Sequence, residues 1–198
     1  MGSPCLALYP EIRAAHIIGM TVREITLLGN PILFGPAAPV ADPCRAEMVE
    51  LVTDMQETLA VAGGIGLAAP QLGVALQVMI FHLPPARSAD GQGVPLTTLF
   101  NPSLEPLSDE VVEAYEACLS VPGLAGLVPR WRYIRYRGWG MDGQLIEREV
   151  EGMHARVVQH EYDHLIGLLY LSHVKEWSNL AMTAELHRQA VCGQKDRS

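Results

Sequence analysis

The first regular pattern of apolar and polar positions along the chain is helical. Apolar side chains recur every three or four residues at Met48, Leu51, Val52, Met55 and Leu59. This spacing places them on one face of a helix. Asp42 followed by Pro43 is typical of a helix start, and Gly63 and Gly64 interrupt the pattern. The pattern predicts one amphipathic helix between Asp42 and Gly63.

Strand-like runs follow, separated by proline and glycine. They are QVMIFHL (77–83), TLFNPSL (98–104) and VVEAYEACLS (111–120). Two further segments, WRYIRYRG (131–138) and QLIEREV (144–150), alternate bulky and charged residues on either side of the turn MDG. This alternation predicts a β-hairpin. Together the runs predict an antiparallel β region.

The second half of the chain predicts two more helices. No residue opposes a helix from Met153 to about Gly167, and its apolar residues would allow a buried position. A last helix is predicted from Asn179 to about Val191. The order helix, strands, helix is typical of an α+β domain and not of an alternating parallel one.

Length and charge set the domain count and the classes of partner. A chain of 198 residues with 49% apolar side chains supports one core, so residues 20–198 are expected to form a single domain. Met20 looks like an alternative start, and residues 1–19 are interpreted as an N-terminal extension or cloning remnant. The net charge of −8 provides no positive field, so direct binding to nucleic acid or to a membrane is not expected.

The four cysteines and the first residues bear on the compartment. Cys5, Cys44, Cys118 and Cys192 are scattered and form no CxxC pair, which favours a reducing compartment. The first 19 residues have neither the basic start nor the continuous apolar run of a signal peptide, and they are too interrupted for a membrane span.

The segment VVQHEYDHLIG (157–167) carries the first candidate chemistry. Residues i and i+4 of a helix lie on one face, so His160 and His164 can direct ring nitrogens at one metal ion. Glu161 would then lie beside a water bound to that ion and act as a general base. The alternative is that all three are ordinary polar residues on a solvated helix face.

A catalytic metal site normally needs a third protein ligand. One metalloprotease pattern requires a third histidine six residues after His164, where this chain has Tyr170. Another uses a glutamate from a later helix, for which Glu185 is a candidate without a supporting pattern. The third candidate is Cys118 in EACLSVPG, although a lone cysteine at a strand end is more often a buried apolar residue.

The glycine-rich segment GGIGLAAPQLG (63–73) follows the first predicted helix. It lacks the Lys-Ser/Thr pair of a phosphate-binding loop. Either it is a tight turn into a buried strand, or its backbone edge approaches a ligand closely and brings the amide of Gln71 into the site.

Three of these segments together resemble one known family. GIGLAAPQ, EACLS and QHEYDH, in this order, are similar to the three motifs of the peptide deformylases. The resemblance extends to GNPIL (29–33) and LVPR (127–130), so it covers roughly Met20 to Tyr170. It implies antiparallel β-sheets packed around a central helix that carries the HExxH motif.

The resemblance also implies a role for each matching residue. The metal ligands would be Cys118, His160 and His164. Glu161 would be the general base and acid, while the amide of Gln71 and the N–H of Leu119 would bind the carbonyl oxygen that becomes negative. The implied reaction is hydrolysis of the N-formyl group from the N-terminal formylmethionine of a nascent polypeptide, with release of formate.

Further expectations concern the substrate and the surroundings of the ligands. The substrate backbone is expected to bond to Ile65, Gly66 and Ala117. The pocket for the methionine side chain is expected to be lined by Met153, His154 and Val157, for which plain core packing is the alternative. Asp163 is expected to pair with Arg130 beside the ligands, the alternative being two unrelated surface residues.

One thiolate and two imidazoles suit Zn²⁺ or Fe²⁺, and the resemblance implies Fe²⁺ as the working metal. Zn²⁺, Ni²⁺ or Co²⁺ are the alternatives in purified protein. The expected location is the bacterial cytoplasm, with an organelle as the alternative. For the mildly basic C-terminal segment ELHRQAVCGQKDRS, a transient ribosome contact is the alternative to an exposed helix end.

Three residues depart from the family pattern. Ala117 stands where the family usually has glycine, which would strain the backbone if that position needs a positive φ. Ala125 stands where some relatives carry a basic residue, and Arg156 occupies a pocket-side position that is often aliphatic. These departures bear on the substrate edge, on longer peptides and on the shape of the pocket.

Two rival functions stay open. A metallopeptidase would use the same two histidines and Glu161 with Glu185 as the third ligand. A catalytically silent relative would bind formylated or ordinary N-termini without turnover. The intact Gln71, Glu161 and three ligands argue against the second rival.

Overall fold

The computed structural model describes residues 22–88 and 90–195 of the chain. Within these ranges the α-helices are α1 (Ala46–Ala62), α2 (Gly152–Leu165) and α3 (Thr183–Lys195). The strands are β1 (Gly66–Ala68), β2 (Val78–Leu83), β3 (Val94–Pro106), β4 (Val111–Cys118), β5 (Val121–Trp131), β6 (Tyr133–Trp139), β7 (Leu145–Glu151) and β8 (Leu180–Met182). The predicted extension, residues 1–19, lies outside the described residues.

The strands form two sheets. One sheet has the order β1-β2-β3-β6-β7 and the other has the order β4-β5-β8, and every pairing between these strands is antiparallel. The predicted hairpin is confirmed, with β6 and β7 in register from Tyr133 opposite Glu151 to Trp139 opposite Leu145. The α+β class and the antiparallel β region are therefore confirmed.

The start of α1 differs from the prediction. The helix begins at Ala46, with Arg45 at its N-cap, and not at Asp42. The Asp42 carboxylate instead accepts the backbone N–H of Cys44 at 2.9 Å, so it stabilises a turn before the helix. The end agrees with the prediction, because Gly63 adopts φ 72° and donates its N–H to the Leu59 carbonyl.

Strand β5 was not predicted, because it contains Pro122, Gly123, Gly126 and Pro129. Proline removes a backbone donor and is therefore rare in central strands. Here β8 pairs only with residues 124–126 of β5. Pro129 lies opposite Glu113 of β4, outside the stretch that pairs with β8, and Pro122 lies in the register shift between the paired residues Val121 and Ala125.

Strand β2 of the large sheet is buried on both of its faces. Met79 and Phe81 of β2 share one core with residues of α2, among them Val157, whereas Val78 and Ile80 share another core with α1. Successive side chains of a strand point to opposite faces, so the two helices cover opposite faces of the sheet. In the described ranges, no helix combines the length and the apolar character needed to cross a membrane.

Candidate metal centre and cleft

Three ligand atoms converge between the small sheet and α2. Cys118 is the last residue of β4, next to a register shift in the pairing with β5, while His160 and His164 lie one turn apart on α2. One ligand atom from each lies within 4.8 Å of the others. Cys118 Sγ and His164 Nε2 are 3.4 Å apart, and the two imidazole rings meet edge to face. The sequence separates Cys118 from the histidines by about 40 residues, and the fold brings them together.

The surroundings of the two histidines fit a cation. Burial lowers the pKa of His164 well below its ordinary value, which keeps the ring neutral, as a metal ligand must be. Burial also opposes protonation of His160, but hydrogen bonds to Cys118 and Glu116 outweigh it and raise the pKa of His160 well above the ordinary value. The site thus attracts positive charge, and a metal ion bound there would displace the proton. Two nitrogens and one sulfur form a donor set that Zn²⁺ and Fe²⁺ accept.

Glu161 follows His160 on α2 and is 3% exposed. Burial raises the pKa of its carboxyl to about 7, and Oε2 has no hydrogen-bond partner. A Cβ at Gly66 would overlap this carboxylate, so β1 approaches Glu161 closely only because residue 66 is glycine. A buried carboxyl that titrates near neutral pH can both accept and donate a proton.

Gln71 lies in the short 3₁₀ turn after β1 and is 2% exposed. Its Oε1 accepts the N–H of Ala68 at 2.8 Å, which fixes which end of the amide faces the centre. Its Nε2 donates to Ser120 Oγ at 3.2 Å and contacts Cys118 Sγ at 3.5 Å. The structure therefore presents an N–H donor next to the candidate metal ligands.

A cleft of about 590 Å³ opens onto this centre. Among the residues expected at the site, those that line the cleft are Ile65, Gly66, Gln71, Ala117, Cys118, Leu119, Met153, Val157, His160 and Glu161. Ala117 belongs to β4 and does not have a positive φ. The backbone strain considered for this alanine is therefore absent.

His154 does not line the cleft, and the expectation that it does so is corrected. Its Nε2 lies 3.2 Å from the hydroxyl of Tyr136, and its ring packs against Phe81 on the side of the large sheet. One helix residue advances about 100° around the axis, and at His154 this rotation directs the ring toward Tyr136 and Phe81 of the large sheet. His164 and the pair Asp163–Arg130 lie behind the cleft wall and do not line it.

The predicted ion pair of Arg130 and Asp163 is present and buried, with 2.7 Å between Nη1 and Oδ2. Sequence reasoning missed its neighbour Glu116, which contacts His160 Nδ1 at 2.9 Å and accepts two hydrogen bonds from Arg130. These contacts outweigh burial and hold the pKa of Glu116 well below its usual range. A signal was available, because Glu116 and Cys118 are two apart in a strand and share one face.

For other residues that line the cleft, no pattern in the sequence predicted that position. The far wall includes Thr183, Leu186 and His187 from the first turns of α3, and Arg87 approaches from the loop after β2. Pairing of β8 with β5 brings α3 to the cleft. No local pattern indicates such a contact between segments that lie far apart in the chain.

The alternative third ligands are not placed at the centre. Glu185 pairs with Arg188 on α3, and its side chain is 47% exposed. Tyr170, at the position of the third histidine of the metalloprotease pattern, stacks on His160 with 6.2 Å between ring centroids. Its hydroxyl donates to the Leu124 carbonyl at 3.0 Å. Neither residue belongs to the cluster formed by Cys118 and the two histidines.

The chain is similar to known proteins over most of its length. The sequence model of the family described as polypeptide deformylase matches residues 22–179. Peptide deformylase 1 of Bordetella pertussis is 52% identical over 166 residues, which are 83% of this chain and 94% of that protein. Peptide deformylase 2 of Ralstonia nicotianae is 47% identical over 176 residues, 88% of this chain and 99% of that protein.

Solved structures show the same likeness. A class I type b peptide deformylase from Acinetobacter baumannii, with Met-Ala-Ser bound, matches with a TM-score of 0.73 and 31% identity, covering 79% of this chain and 100% of that one. A peptide deformylase from Synechococcus elongatus in complex with actinonin matches with a TM-score of 0.72 and 30% identity, covering 80% and 82%.

Proposed function

This chain belongs to the polypeptide deformylase family, and we propose that it hydrolyses the N-formyl group from the N-terminal formylmethionine of nascent polypeptides. It is a hydrolase of the class that acts on formyl-methionyl peptides. The observation that carries the proposal is the convergence of Cys118, His160 and His164 beside a cleft whose lining also includes Glu161 and Gln71. In this proposal α2 is the central helix that carries the catalytic HExxH motif.

Cys118, His160 and His164 would hold one divalent metal ion and leave a position open for water or substrate. When bound, such an ion would lower the pKa of its water to about 7 and polarise a carbonyl oxygen. We propose Fe²⁺ as the working metal, with Zn²⁺, Ni²⁺ or Co²⁺ in purified protein. The donor set supports this choice of ions.

Different groups around the cleft transfer protons and stabilise the negative charge during hydrolysis. Glu161 accepts a proton from the attacking water and later gives a proton to the departing α-amine. The Gln71 amide and the N–H of Leu119 donate hydrogen bonds to the formyl oxygen as it becomes negative. A single preorganised donor of this kind is worth about 10² to 10³ in rate. The products are formate and a peptide with a free N-terminus.

The substrate backbone is proposed to lie against Ile65, Gly66 and Ala117, two segments that face each other across the cleft. Main-chain pairing tolerates varied side chains downstream of the methionine. Met153 and Val157, one helical turn apart on α2, would line the pocket for the methionine side chain. We leave His154 out of this pocket because it faces the large sheet.

Partners and location extend the same proposal. Formylated N-termini would be the only required partner, and a transient ribosome contact through the C-terminal segment stays a proposal. Residues 20–198 are proposed to form one catalytic domain preceded by an extension. The bacterial relatives support a location in the bacterial cytoplasm.

Formate release from a short formyl-Met peptide tests the function. Protein purified without oxygen and loaded with Fe²⁺ is expected to release formate. Glu161→Gln is expected to lower kcat by about 10² to 10⁴ while the metal content stays unchanged. Glu147→Gln, at an exposed site on β7, serves as the matched control. A fully metallated wild type that releases no formate would contradict the proposal.

Metal content of two variants separates this function from a metallopeptidase. Cys118→Ser is expected to lose metal during dialysis, because it removes the thiolate ligand. Glu185→Ala is expected to keep its metal, because Glu185 pairs with Arg188 away from the centre. The reverse result would favour the metallopeptidase.

A further inference from the structure

Arg156 lies on α2 one turn before His160, and its side chain is only 9% exposed. Its Nη1 donates to Glu116 Oε1 at 2.7 Å and to the Val128 carbonyl at 3.0 Å. Its Nη2 donates to the Val112 carbonyl at 2.6 Å. One guanidinium therefore joins α2 to both β4 and β5. These connections link the helix that carries the two histidines to the hairpin that carries Cys118.

Glu116 is held on both of its carboxylate oxygens. Oε1 accepts from Arg130 Nε at 3.0 Å and from Arg156 Nη1 at 2.7 Å. Oε2 accepts from Arg130 Nη2 at 2.9 Å and lies 2.9 Å from His160 Nδ1. The carboxylate of Glu116 thus has two partners on each oxygen and one orientation that satisfies all four. The bond to Nδ1 leaves His160 Nε2 for the metal centre.

Arg156 also changes the charge balance around Glu116. Arg130 also pairs with Asp163 at 2.7 Å, so it serves two buried carboxylates. Arg156 supplies a second buried guanidinium to Glu116, beside that of Arg130. A buried charge that lacks a partner is strongly unfavourable. Removal of Arg156 would therefore leave Glu116 with one guanidinium, that of Arg130, which it shares with Asp163. Asp163 keeps a second partner in His173, whose Nε2 lies 2.8 Å from Oδ2.

We propose that Arg156 is a positioning residue for the metal centre: it fixes Glu116, and through Glu116 the ring of His160, while holding the Cys118 hairpin against α2. The inference rests on the proposed function only in requiring a metal at Cys118, His160 and His164. Partners that orient a ligating histidine commonly contribute about 10-fold to 100-fold to metal affinity or activity. Arg156 acts one contact further from the metal, through the carboxylate.

Co²⁺ binding tests this role without relying on turnover. We would measure the Co²⁺ dissociation constant by competition with a chelator, together with the visible absorption spectrum of the Co²⁺ protein. Arg156→Met is expected to weaken Co²⁺ binding by about 10-fold or more and to change the spectrum. Arg156→Lys is expected to recover part of the affinity, because an ammonium keeps the charge but cannot bridge the same acceptors. Arg132→Met, which breaks an exposed ion pair with Glu110, is the control.

An unchanged metal centre in the Arg156 variant would overturn the proposal. Arg156→Met with wild-type Co²⁺ affinity and spectrum would do so, even if its unfolding midpoint falls, because Arg156 would then serve the fold alone. If Arg156→Met does not fold, the same two measurements are made on Arg156→Lys. Wild-type Co²⁺ affinity and a wild-type spectrum in that variant would overturn the proposal. A wild type that binds Co²⁺ but releases no formate would contradict the proposed function and leave the test of Arg156 valid.

Discussion

Two groups of ion pairs in this protein use the same side-chain types in different surroundings. One group is buried beside the metal centre, and the other is exposed on β3, β6 and β7. Around Glu116, the side chains of Arg130 and Glu116 are each 5% exposed. Arg135 of β6 faces Glu105 of β3 and Glu147 and Glu149 of β7, whose side chains are 45% to 60% exposed. Water screens the second group and solvates each member when its partner is removed. Burial, and not the number of contacts, therefore determines what each pair contributes.

The largest effect is expected from Glu116→Ala. The substitution leaves the guanidinium groups of Arg130 and Arg156 buried without their shared carboxylate and removes the partner of His160 Nδ1. Breaking a buried pair typically costs about 3–5 kcal/mol. Denaturant unfolding of the metal-free protein is expected to show a loss of this size, and Glu149→Ala is the exposed control. Equal small losses in both variants would refute the role given to burial.

A smaller, pH-dependent effect is expected from His154, a largely buried polar side chain without an ion pair in the described residues. Burial, with a smaller contribution from Arg148, lowers its pKa from 6.5 to about 4. Between these values the unfolded chain binds more protons than the folded protein, so this contribution to stability is complete above pH 6.5 and is lost as the pH falls toward 4.

The measurement is the free energy of unfolding of metal-free protein at pH 5 and pH 7. His154→Gln is expected to show a smaller difference between the two pH values than the wild type, because the variant has no ring to protonate. An unchanged difference would show that His154 is protonated alike in both states.

The smallest effect is expected from Arg135→Ala. The side chains of its partners on β3 and β7 are exposed to water, so its removal should scarcely move the midpoint of urea unfolding. Raising the NaCl concentration should reduce even that small difference, because salt screens exposed charges. A midpoint shift as large as that of Glu116→Ala would erase the distinction between the two regions.

Helices and strands with a regular spacing of apolar positions were predicted from the sequence. Alternation along 131–150 predicted the β6–β7 hairpin, and apolar spacing predicted most of α1 and α2. Prediction failed where long-range pairing overrides local preference. β5 forms despite Pro122 and Pro129, and β8 precedes α3 where a helix was expected from Asn179.

The candidate site likewise has residues that the sequence indicated and residues that it did not. The types and spacing of His160, Glu161 and His164 are local, and the order of the motifs along the chain indicates Cys118 and Gln71. The orientation of His154 required the helix to be placed, because a residue beside a cleft position can face either side. Glu116 was overlooked although it lies two residues from Cys118, since its significance depends on the buried side chains that surround it.

The sequence by itself determined the α+β class, the family and the residue types able to bind a metal and move a proton, because these depend on short-range spacing along the chain. Only the tertiary structure decided which charges share the buried cluster at Glu116, and that α3 forms a wall of the cleft. In these contacts Glu116 meets Arg156 and His160 across 40 and 44 positions of the chain, and Arg130 across 14. Their energies arise from burial and shared partners, which no local pattern records.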